Sequence, residues 1–230
     1  MLREIVLDTE TTGLNPKTGD RLIEIGCIEL VDRRPTGTEF HRFINPDGRD
    51  VHPDAERIHG ISFASLQDKP LFGAVVDAFL DFIGEDTLVI HNAPFDIGFL
   101  NMELARLKRP ELQSDRVVDT LMLAKRKHPA GPNSLDALCK RYGIDNSDRT
   151  KHGAIIDSLL LAEVYVELLG VRQTKLELGA GAFGGARSGG ARRSSETYPP
   201  RPKPLPPRLT QADLDRHAAF IANLGREEIT

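Results

Sequence analysis

The chain has 230 residues, of which 28% are charged and 40% hydrophobic, and this composition is ordinary for a soluble protein. A formal net charge of −4 argues against a protein that coats nucleic acid non-specifically, but not against an enzyme that reaches a phosphate through bound metal. Cys27 and Cys139 are solitary, so neither a zinc site nor a disulfide framework is indicated, and no apolar run approaches the ~18 residues of a membrane span. We therefore expect one well-buried domain with an appendage, or two small domains, in the cytoplasm and without a membrane partner.

Strands come first along the chain. Three segments rich in Ile, Val, Leu and Phe, with breakers between them, predict strands at 3–8, 21–31 and 36–44. The short, turn-like link at 33–37 predicts an antiparallel hairpin between the second and third strands. Helices and strands then alternate, with helices predicted at 70–83, 94–108, 119–126, 133–142 and 154–169 and short strands at 86–91 and 116–119. This order predicts an α/β fold whose mixed five-stranded sheet is flanked by helices.

The composition changes sharply after Gly170. Residues 171–208 contain six Gly and six Pro, and such a segment cannot bury enough surface to offset chain entropy, so we expect a flexible linker. Thr210-Gln211-Ala212-Asp213 resembles a capping box, and apolar residues then recur at helical spacing at Leu214, Ala218, Ile221 and Leu224. An isolated helix of this length is marginal in water. Residues 209–230 are therefore either a frayed tail or, as we favour, a helix that docks on a partner.

Two carboxylates, Asp8 and Glu10, lie two residues apart at the end of the first apolar run. Residues i and i+2 of a strand point to the same face, so the two acids project side by side. Adjacent like charges on a buried strand are costly unless something neutralises them, and a divalent cation such as Mg²⁺ or Mn²⁺ does this well. An isolated pair of this kind is more often a polar strand end that enters a turn, so the metal hypothesis depends on further acids.

Two further acids and a histidine complete the pattern. Asp96 falls in the first turn of a helix, where an acid also simply satisfies the helix dipole. Asp157 heads the apolar stripe of the helix at 154–169 and should face the sheet, and a carboxylate aimed at a core requires a partner or a metal. His152 lies in the loop before that helix, where it is suited to act as a general base near neutral pH.

These five residues resemble, in type and order, the three motifs of the DEDDh exonuclease family. The tract His91–Asp96 and the spacing His-x-Ala-x-x-Asp at His152–Asp157 match closely, and the resemblance covers residues 1–170. The tracts Val6–Leu14, Ile58–Ile61 and Asn133–Cys139 are similar to the proofreading members of the family, which serve bacterial replicative DNA polymerases. The resemblance implies an RNase H-like fold and a two-metal 3′→5′ exonuclease that removes mispaired nucleotides from DNA 3′ ends.

The resemblance also implies roles for individual residues. Asp8, Glu10 and Asp157 would hold one Mg²⁺ or Mn²⁺ ion, and Asp8 would bridge to a second. Asp96 would act on the second ion, partly through water, and His152 would take the proton from the attacking water. Asp54 stands where the family often carries Glu. Nucleotide contacts are implied for Asp8, Glu10, Thr11, Leu14, Asp54, His59, His91 and Asn92, the last two with a rival role as strand-end and helix-cap residues.

The region after residue 170 carries two further resemblances. The peptide Gln173–Leu178 is similar to the sliding-clamp-binding peptides found at this place in the family, with Gln173, Leu176 and Leu178 as the implied contacts. Leu178 replaces the more usual aromatic residue. The predicted helix at 210–224 resembles, in position, the segment by which the family's proofreading members bind the polymerase alpha subunit.

Two alternative functions remain open from the sequence. The first is an exoribonuclease that trims RNA 3′ ends, because metals contact only phosphate and every base has a stacking face. The tail argues against it, since a free-standing ribonuclease has no obvious need for a linker and a docking helix. The second is a subunit whose main contribution to the polymerase is structural, and the intact set of acids argues against that hypothesis.

Overall fold

The computed structural model of the protein describes residues 1–147, 151–170 and 210–224, with side chains up to residue 220 in the last range. The chain divides into two units, Met1–Glu177 and Leu178–Thr230, which we describe separately. The predicted linker at 171–208 lies outside the described residues, as do 209 and 225–230 of the predicted docking segment. The predicted clamp contacts Gln173, Leu176 and Leu178 lie outside them too, and all of these stay predictions.

The centre of the first unit is a five-stranded sheet with the strand order β3-β2-β1-β4-β5. Its strands are β1 (Arg3–Thr11), β2 (Leu22–Val31), β3 (Arg34–Phe43), β4 (Thr87–Ile90) and β5 (Val117–Asp119). The first three strands pair antiparallel, whereas β4 runs parallel to β1 and β5 runs parallel to β4. The prediction of a mixed five-stranded α/β sheet is therefore confirmed.

The described part of the first unit contains six α-helices. They are α1 (Pro53–His59), α2 (Phe72–Ile83), α3 (Ala93–Arg106), α4 (Thr120–Lys127), α5 (Leu135–Tyr142) and α6 (Ala154–Leu169). Of these, α2, α3 and α6 pack directly on the sheet. Each predicted helix of residues 1–170 is present within a few residues of its expected bounds. None of the helices in the described ranges is long and apolar enough to span a membrane.

The side chains of β1 alternate between two hydrophobic clusters, one on each face of the sheet. Ile5 and Leu7 belong to the cluster that includes the apolar residues of α2 and α3. Val6 belongs to the cluster that includes the apolar residues of α5 and α6. Because strand side chains alternate with a period of two, Asp8 and Glu10 share the face of Val6 and point towards the α6 side.

Helix α6 lies along this face and is tethered near both ends. Near its start, the Ser158 hydroxyl donates to the carbonyl oxygen of Gly26 in β2 at 3.0 Å. Near its end, the Tyr165 hydroxyl donates to Oε1 of Glu4 in β1 at 2.7 Å. The N-terminus of α6 is thereby held at the end of β1 that carries Asp8 and Glu10.

Three local features differ from the sequence predictions. The strand β1 continues to Thr11 rather than ending at residue 8, because Thr9–Thr11 remain paired with β2. The β2–β3 turn is at Asp32 and Arg33 rather than at 33–37, and both residues have positive φ, as a tight hairpin turn requires. No element was predicted between residues 45 and 69, but the short helix α1 forms there, capped by the ring of His52, which accepts from the Asp54 amide.

The second unit contains one described helix, α7 (Gln211–Leu224). The predicted capping box begins it. The amide and hydroxyl of Thr210 donate to Oδ2 of Asp213 at 3.0 and 2.6 Å, and the Asp213 amide donates back to the Thr210 hydroxyl at 3.3 Å. Such reciprocal bonds satisfy amides that a helix start otherwise leaves without partners.

Candidate active site

The site begins with Asp8 and Glu10, which project from β1 on the α6 side. In the register of the antiparallel pair, Asp8 lies opposite Gly26 and Glu10 lies opposite Glu24. Directly opposed residues of an antiparallel pair share a face. Three carboxylates and a glycine therefore occupy adjacent positions on one patch of the sheet.

Gly26 allows α6 to reach this patch. A Cβ placed on Gly26 would overlap the backbone of Ala154, the first residue of α6. The helix start therefore lies directly on β2, in the space that any other residue would fill. This approach brings Asp157, in the first turn of α6, to the two acids of β1.

The described residues form one compact group able to hold a metal ion: Glu10, His152 and Asp157, whose ligand atoms lie within 4.8 Å of one another. Asp157 is 3% exposed, and its Oδ2 lies 3.2 Å from Nδ1 of His152. A buried carboxylate beside a second carboxylate is costly without a cation, so the donor set fits a divalent ion. Asp8 lines a cavity together with His152 and Asp157, which puts the fourth predicted residue at the same place.

Asp96 reaches the end of β1 from α3, which packs on the opposite face of the sheet. Its Oδ1 accepts a hydrogen bond of 2.7 Å from the hydroxyl of Thr9, the residue between Asp8 and Glu10. Burial raises the pKa of Asp96 to about 7, although the Thr9 bond opposes this shift. The structure thus ties Asp96 to the acid-bearing strand but not to the compact group of Glu10, His152 and Asp157.

Two cavities flank the acids, and every residue with a predicted nucleotide contact lines one of them. The first cavity has a volume of about 460 Å³ and is lined by Glu10, Thr11, Leu14, Asp54 and His59, among others. The second has a volume of about 510 Å³ and is lined by Asp8, His91 and Asn92 as well as by His152 and Asp157. Each cavity thus has acids of the candidate site in its wall, Glu10 in the first and Asp8 and Asp157 in the second.

The first cavity is shaped by a turn after β1. The hydroxyl of Thr11 donates to the carbonyl oxygen of Gly13 at 2.6 Å, which folds the chain and leaves Leu14 at the tip, 83% exposed. His59 also lines this cavity and is buried. Its Nδ1 accepts from the Ile61 amide at 3.0 Å, and burial lowers its pKa. Asp54 instead lies on the exposed rim, where it accepts from Arg57 at 2.7 Å.

His91 and Asn92 follow directly after β4 and line the second cavity. Nδ1 of His91 lies 2.9 Å from the hydroxyl of Thr120, and burial lowers the pKa of this histidine. Asn92 occupies the N-cap position of α3 with φ of 64°, but its side chain makes no capping hydrogen bond. Asn92 therefore occupies the predicted helix-cap position, but its side-chain amide does not cap the helix.

Sequence reasoning did not select several residues that build the site. Asp20 and Arg49 line the first cavity, and they come from loops in which no motif was recognised. Ser134–Asp136 line the second cavity, and here the likeness of Asn133–Cys139 to the family was a usable signal. A glycine inside a strand, as at position 26, also signals the close approach of another backbone.

Comparisons with known proteins show the family to which the chain belongs. Residues 5–165 match the sequence family described as Exonuclease. The chain belongs to this family. Within it, the chain is 56% identical to DNA polymerase III subunit epsilon of Rickettsia felis over 180 residues, which are 77% of this chain and 78% of that protein. It is 50% identical to subunit epsilon of Escherichia coli strain K12 over 175 residues, 73% of this chain and 72% of that protein.

Solved exonuclease structures share the fold. Exonuclease X, in a complex with 5′-overhanging duplex DNA, is 25% identical and has a TM-score of 0.57 over 73% of this chain and 92% of its own. The nuclease domain of 3′hExo, a DEDDh family member bound to rAMP, has a TM-score of 0.62 at 16% identity, over 74% and 92% of the two chains. The RNase H-like fold of this exonuclease family is thus confirmed, and the chain is a proofreading 3′→5′ exonuclease.

Proposed function

We propose that this exonuclease hydrolyses DNA from the 3′ end with two divalent ions, Mg²⁺ or Mn²⁺, held at the end of β1. Asp8, Glu10 and Asp157 would hold the first ion, and Asp8 and Asp96 would contribute to holding the second. The observation that carries the proposal is the grouping of the Glu10, His152 and Asp157 ligand atoms within 4.8 Å. When bound, such ions activate water and neutralise charge on the phosphate.

In this proposal His152 is the general base. Nδ1 of His152 lies 3.2 Å from Asp157, which fixes the ring beside the acids. From this place His152 takes the proton of the water that attacks the terminal phosphodiester. A positioned base of this kind contributes about 10²–10⁴-fold to the rate.

The terminal nucleotides lie between the two cavities. Thr11, Leu14, Asp54 and His59 contact them from the first cavity, and His91 and Asn92 contact them from the second. Leu14 supports this role because an 83% exposed leucine is available to pack against a base. DNA is preferred to RNA in this proposal because relatives at 50–56% identity are named as DNA polymerase subunits.

The proposal is tested with a primer that carries a mispaired 3′ nucleotide and is incubated with Mg²⁺ or Mn²⁺. Asp8→Ala and His152→Ala should slow removal of the mispaired nucleotide by at least about 10²-fold, whereas Glu39→Ala, on an exposed part of β3, should leave it unchanged. Removal by Asp8→Ala at the wild-type rate would overturn the site. Faster cleavage of an RNA oligomer than of the DNA oligomer of equal sequence would favour the exoribonuclease alternative.

We further propose that 1–170 is the exonuclease domain and that 171–208 connects it to a segment, 209–230, that binds the polymerase alpha subunit. Support comes from α7, where Leu214 and Phe220 are 48% and 61% exposed and thus available to a partner. Leu214→Asp in the full chain should abolish capture of the alpha subunit and keep the nuclease rate, whereas Gln211→Ala should keep both capture and the nuclease rate. Capture by the Leu214→Asp variant at the wild-type level would contradict the assignment.

The peptide Gln173–Leu178 is proposed as a second attachment, to the sliding clamp. Its support is the sequence pattern alone, with Gln173, Leu176 and Leu178 as contacts. Replacing Leu176 and Leu178 by Ala should weaken binding of the full chain to the clamp while binding to the alpha subunit is retained. Clamp binding that is unaffected by both replacements would remove this peptide from the proposal.

A further inference from the structure

Glu24 is a buried carboxylate close to the proposed metal ligands, and it is absent from the compact group of Glu10, His152 and Asp157. It is 3% exposed and lies directly opposite Glu10 in the β1–β2 pair, on the same face. Two like charges in these positions are destabilising unless each has its own partner. The partners of Glu24 therefore decide what it does.

Both oxygens of Glu24 are engaged. Oε1 lies 2.6 Å from Nε2 of His41, which projects from the neighbouring strand β3. Oε2 accepts a hydrogen bond of 3.3 Å from the amide of Ala154, the first residue of α6. One carboxylate thus joins two strands of the sheet to the start of the helix that carries Asp157.

Helix α6 needs such a partner. Its N-cap is Gly153, which has no side chain and makes no capping hydrogen bond. The first amides of a helix lack partners within the helix, and an anion at that end is favoured by the helix dipole. Glu24 supplies from the sheet the cap that the sequence before α6 lacks.

Two further contacts fix the same helix end. Gly26 leaves room for the Ala154 backbone, and the Ser158 hydroxyl donates to the Gly26 carbonyl oxygen at 3.0 Å. Asp157 lies between Ala154 and Ser158 in the sequence, and His152 lies two residues before Ala154. The position of the two side chains therefore depends on how the start of α6 is held.

We propose that Glu24 and His41 are positioning residues for the metal site, because together they hold the N-terminus of α6 against β2 so that Asp157 and His152 meet Glu10. This inference rests on the proposed assignment of Glu10 and Asp157 as metal ligands. Glu24 itself is not assigned as a ligand, since it lies outside the compact group of Glu10, His152 and Asp157. His41 acts only by orienting Glu24.

The test is Mn²⁺ binding to the full chain, measured from the electron paramagnetic resonance signal of free Mn²⁺, together with kcat and KM on single-stranded DNA. Glu24→Ala should weaken Mn²⁺ binding about tenfold or more, the effect typical of residues that orient metal ligands. It should lower kcat with little change in KM. His41→Ala should have a smaller effect in the same direction, and Glu39→Ala, at an exposed position of β3, should behave as wild type.

Glu24→Gln separates positioning from charge. A glutamine oxygen still accepts from the Ala154 amide, so this variant should restore Mn²⁺ affinity to within about threefold of wild type, a difference of about 0.65 kcal/mol. Affinity as poor as that of Glu24→Ala would mean that the negative charge itself holds the ion, and it would overturn the proposal.

A purely structural role for Glu24 is distinguished by thermal unfolding in the presence of chelator. If Glu24→Ala lowers the unfolding temperature but binds Mn²⁺ and turns over normally well below that temperature, the positioning role is wrong. Asp157→Asn is the reference for the site and should lose Mn²⁺ binding. If Asp157→Asn binds Mn²⁺ normally, the proposed metal site itself fails, and this outcome differs from a failure of Glu24 alone.

Discussion

At the scale of single residues, Gly26 of β2 and Thr9 of β1 show how acids from both faces of the sheet come near the end of β1. Gly26 has only a hydrogen atom where the α6 backbone passes, so the helix bearing Asp157 lies directly on the sheet. Thr9 points to the other face and donates to Asp96 on α3. Acids from helices on opposite faces are thereby drawn to the end of a single strand.

Gly26→Ala should damage stability and activity together. The added Cβ would overlap the Ala154 backbone, which cannot move without lifting the start of α6. We expect a loss of about 1–3 kcal/mol in the free energy of unfolding, measured with urea, and a fall in kcat of about 10²-fold.

Gly98→Ala is the matched control for that substitution. Gly98 lies inside α3, and a Cβ there meets nothing within 4 Å. Alanine is the better helix former, so the free energy of unfolding should rise by about 0.5–1 kcal/mol. A Gly26→Ala protein as stable and as active as wild type would mean that α6 is not held in this position.

At the scale of elements, α6 has two ends with different tasks. Its start carries Asp157 beside Glu10, whereas its end carries Tyr165, whose hydroxyl donates to the buried Glu4. Burial and the carboxylate of Glu4 raise the pKa of Tyr165, so the phenol stays protonated and remains a donor. One end of α6 thus lies at the proposed site, and the other end is anchored to β1.

Tyr165→Phe should destabilise the protein without impairing catalysis. It removes the donor to Oε1 of Glu4, while Oε2 of Glu4 already has no hydrogen-bond partner among the described residues. A buried acceptor left without a donor costs about 1–3 kcal/mol in the free energy of unfolding. Urea unfolding should show this loss, while kcat stays unchanged. Adding Glu4→Gln to the Tyr165→Phe variant should make the loss smaller, because it removes the buried charge.

The loop after β1 depends on a second buried acid, Asp20. Oδ2 of Asp20 accepts from the Asn15 amide at 3.0 Å, and Oδ1 accepts from Arg49 at 2.7 Å. Burial alone would raise the pKa of Asp20, but these bonds hold it below the ordinary value of 3.8. The ionised form is therefore the one that supports the loop carrying Leu14.

The contribution of Asp20 to stability should depend on pH in a defined sense. A lowered pKa in the folded state means that the stabilisation is present above pH 3.8 and is lost as the pH falls through the lower folded value. Asp20→Asn should thus cost about 2 kcal/mol at pH 7 and progressively less below pH 4. Urea unfolding from pH 2 to 7 measures this, with the exposed Asp68→Asn as a control that should show no such trend.

At the scale of the whole molecule, the first unit assembles its acids from segments far apart in the sequence. Glu10 and Asp157 are separated by 147 positions, yet their ligand atoms lie within 4.8 Å of each other. A cation that binds only the folded arrangement must stabilise it, since the unfolded chain lacks the site. Metal binding and global stability are therefore linked.

Addition of Mn²⁺ should raise the unfolding temperature. At a free concentration 100 times the dissociation constant, the expected gain in the free energy of unfolding is about 2.7 kcal/mol, and excess chelator should reverse it. Asp157→Asn should remove this gain, whereas Glu39→Ala should preserve it. A gain of equal size in Asp157→Asn would show that Mn²⁺ binds elsewhere.

Local patterns in the sequence were enough to predict most elements, and they supplied the candidate residues of the proposed site. The period-two and helical spacings of apolar residues predicted the sheet and the long helices, because burying one face forces that spacing. Helix α1 was not predicted, because seven residues are too few to show a helical spacing of apolar residues. Its start is also capped by the ring of His52, an interaction that the sequence pattern does not reveal. The extent of β1 was not predicted either, because Thr9–Thr11 are strand residues only through their pairing with β2.

The sequence by itself determined the types of residue available: four acids and a histidine in a known order, with Asp8 and Glu10 two positions apart. Only the tertiary structure decided which of them meet. It grouped Glu10 with His152 and Asp157, tied Asp96 to Thr9 on the other face, and added Glu24 as a cap for α6. The reason is physical, because alternation along a strand is a local property, whereas the approach of a helix depends on distant residues such as Gly26.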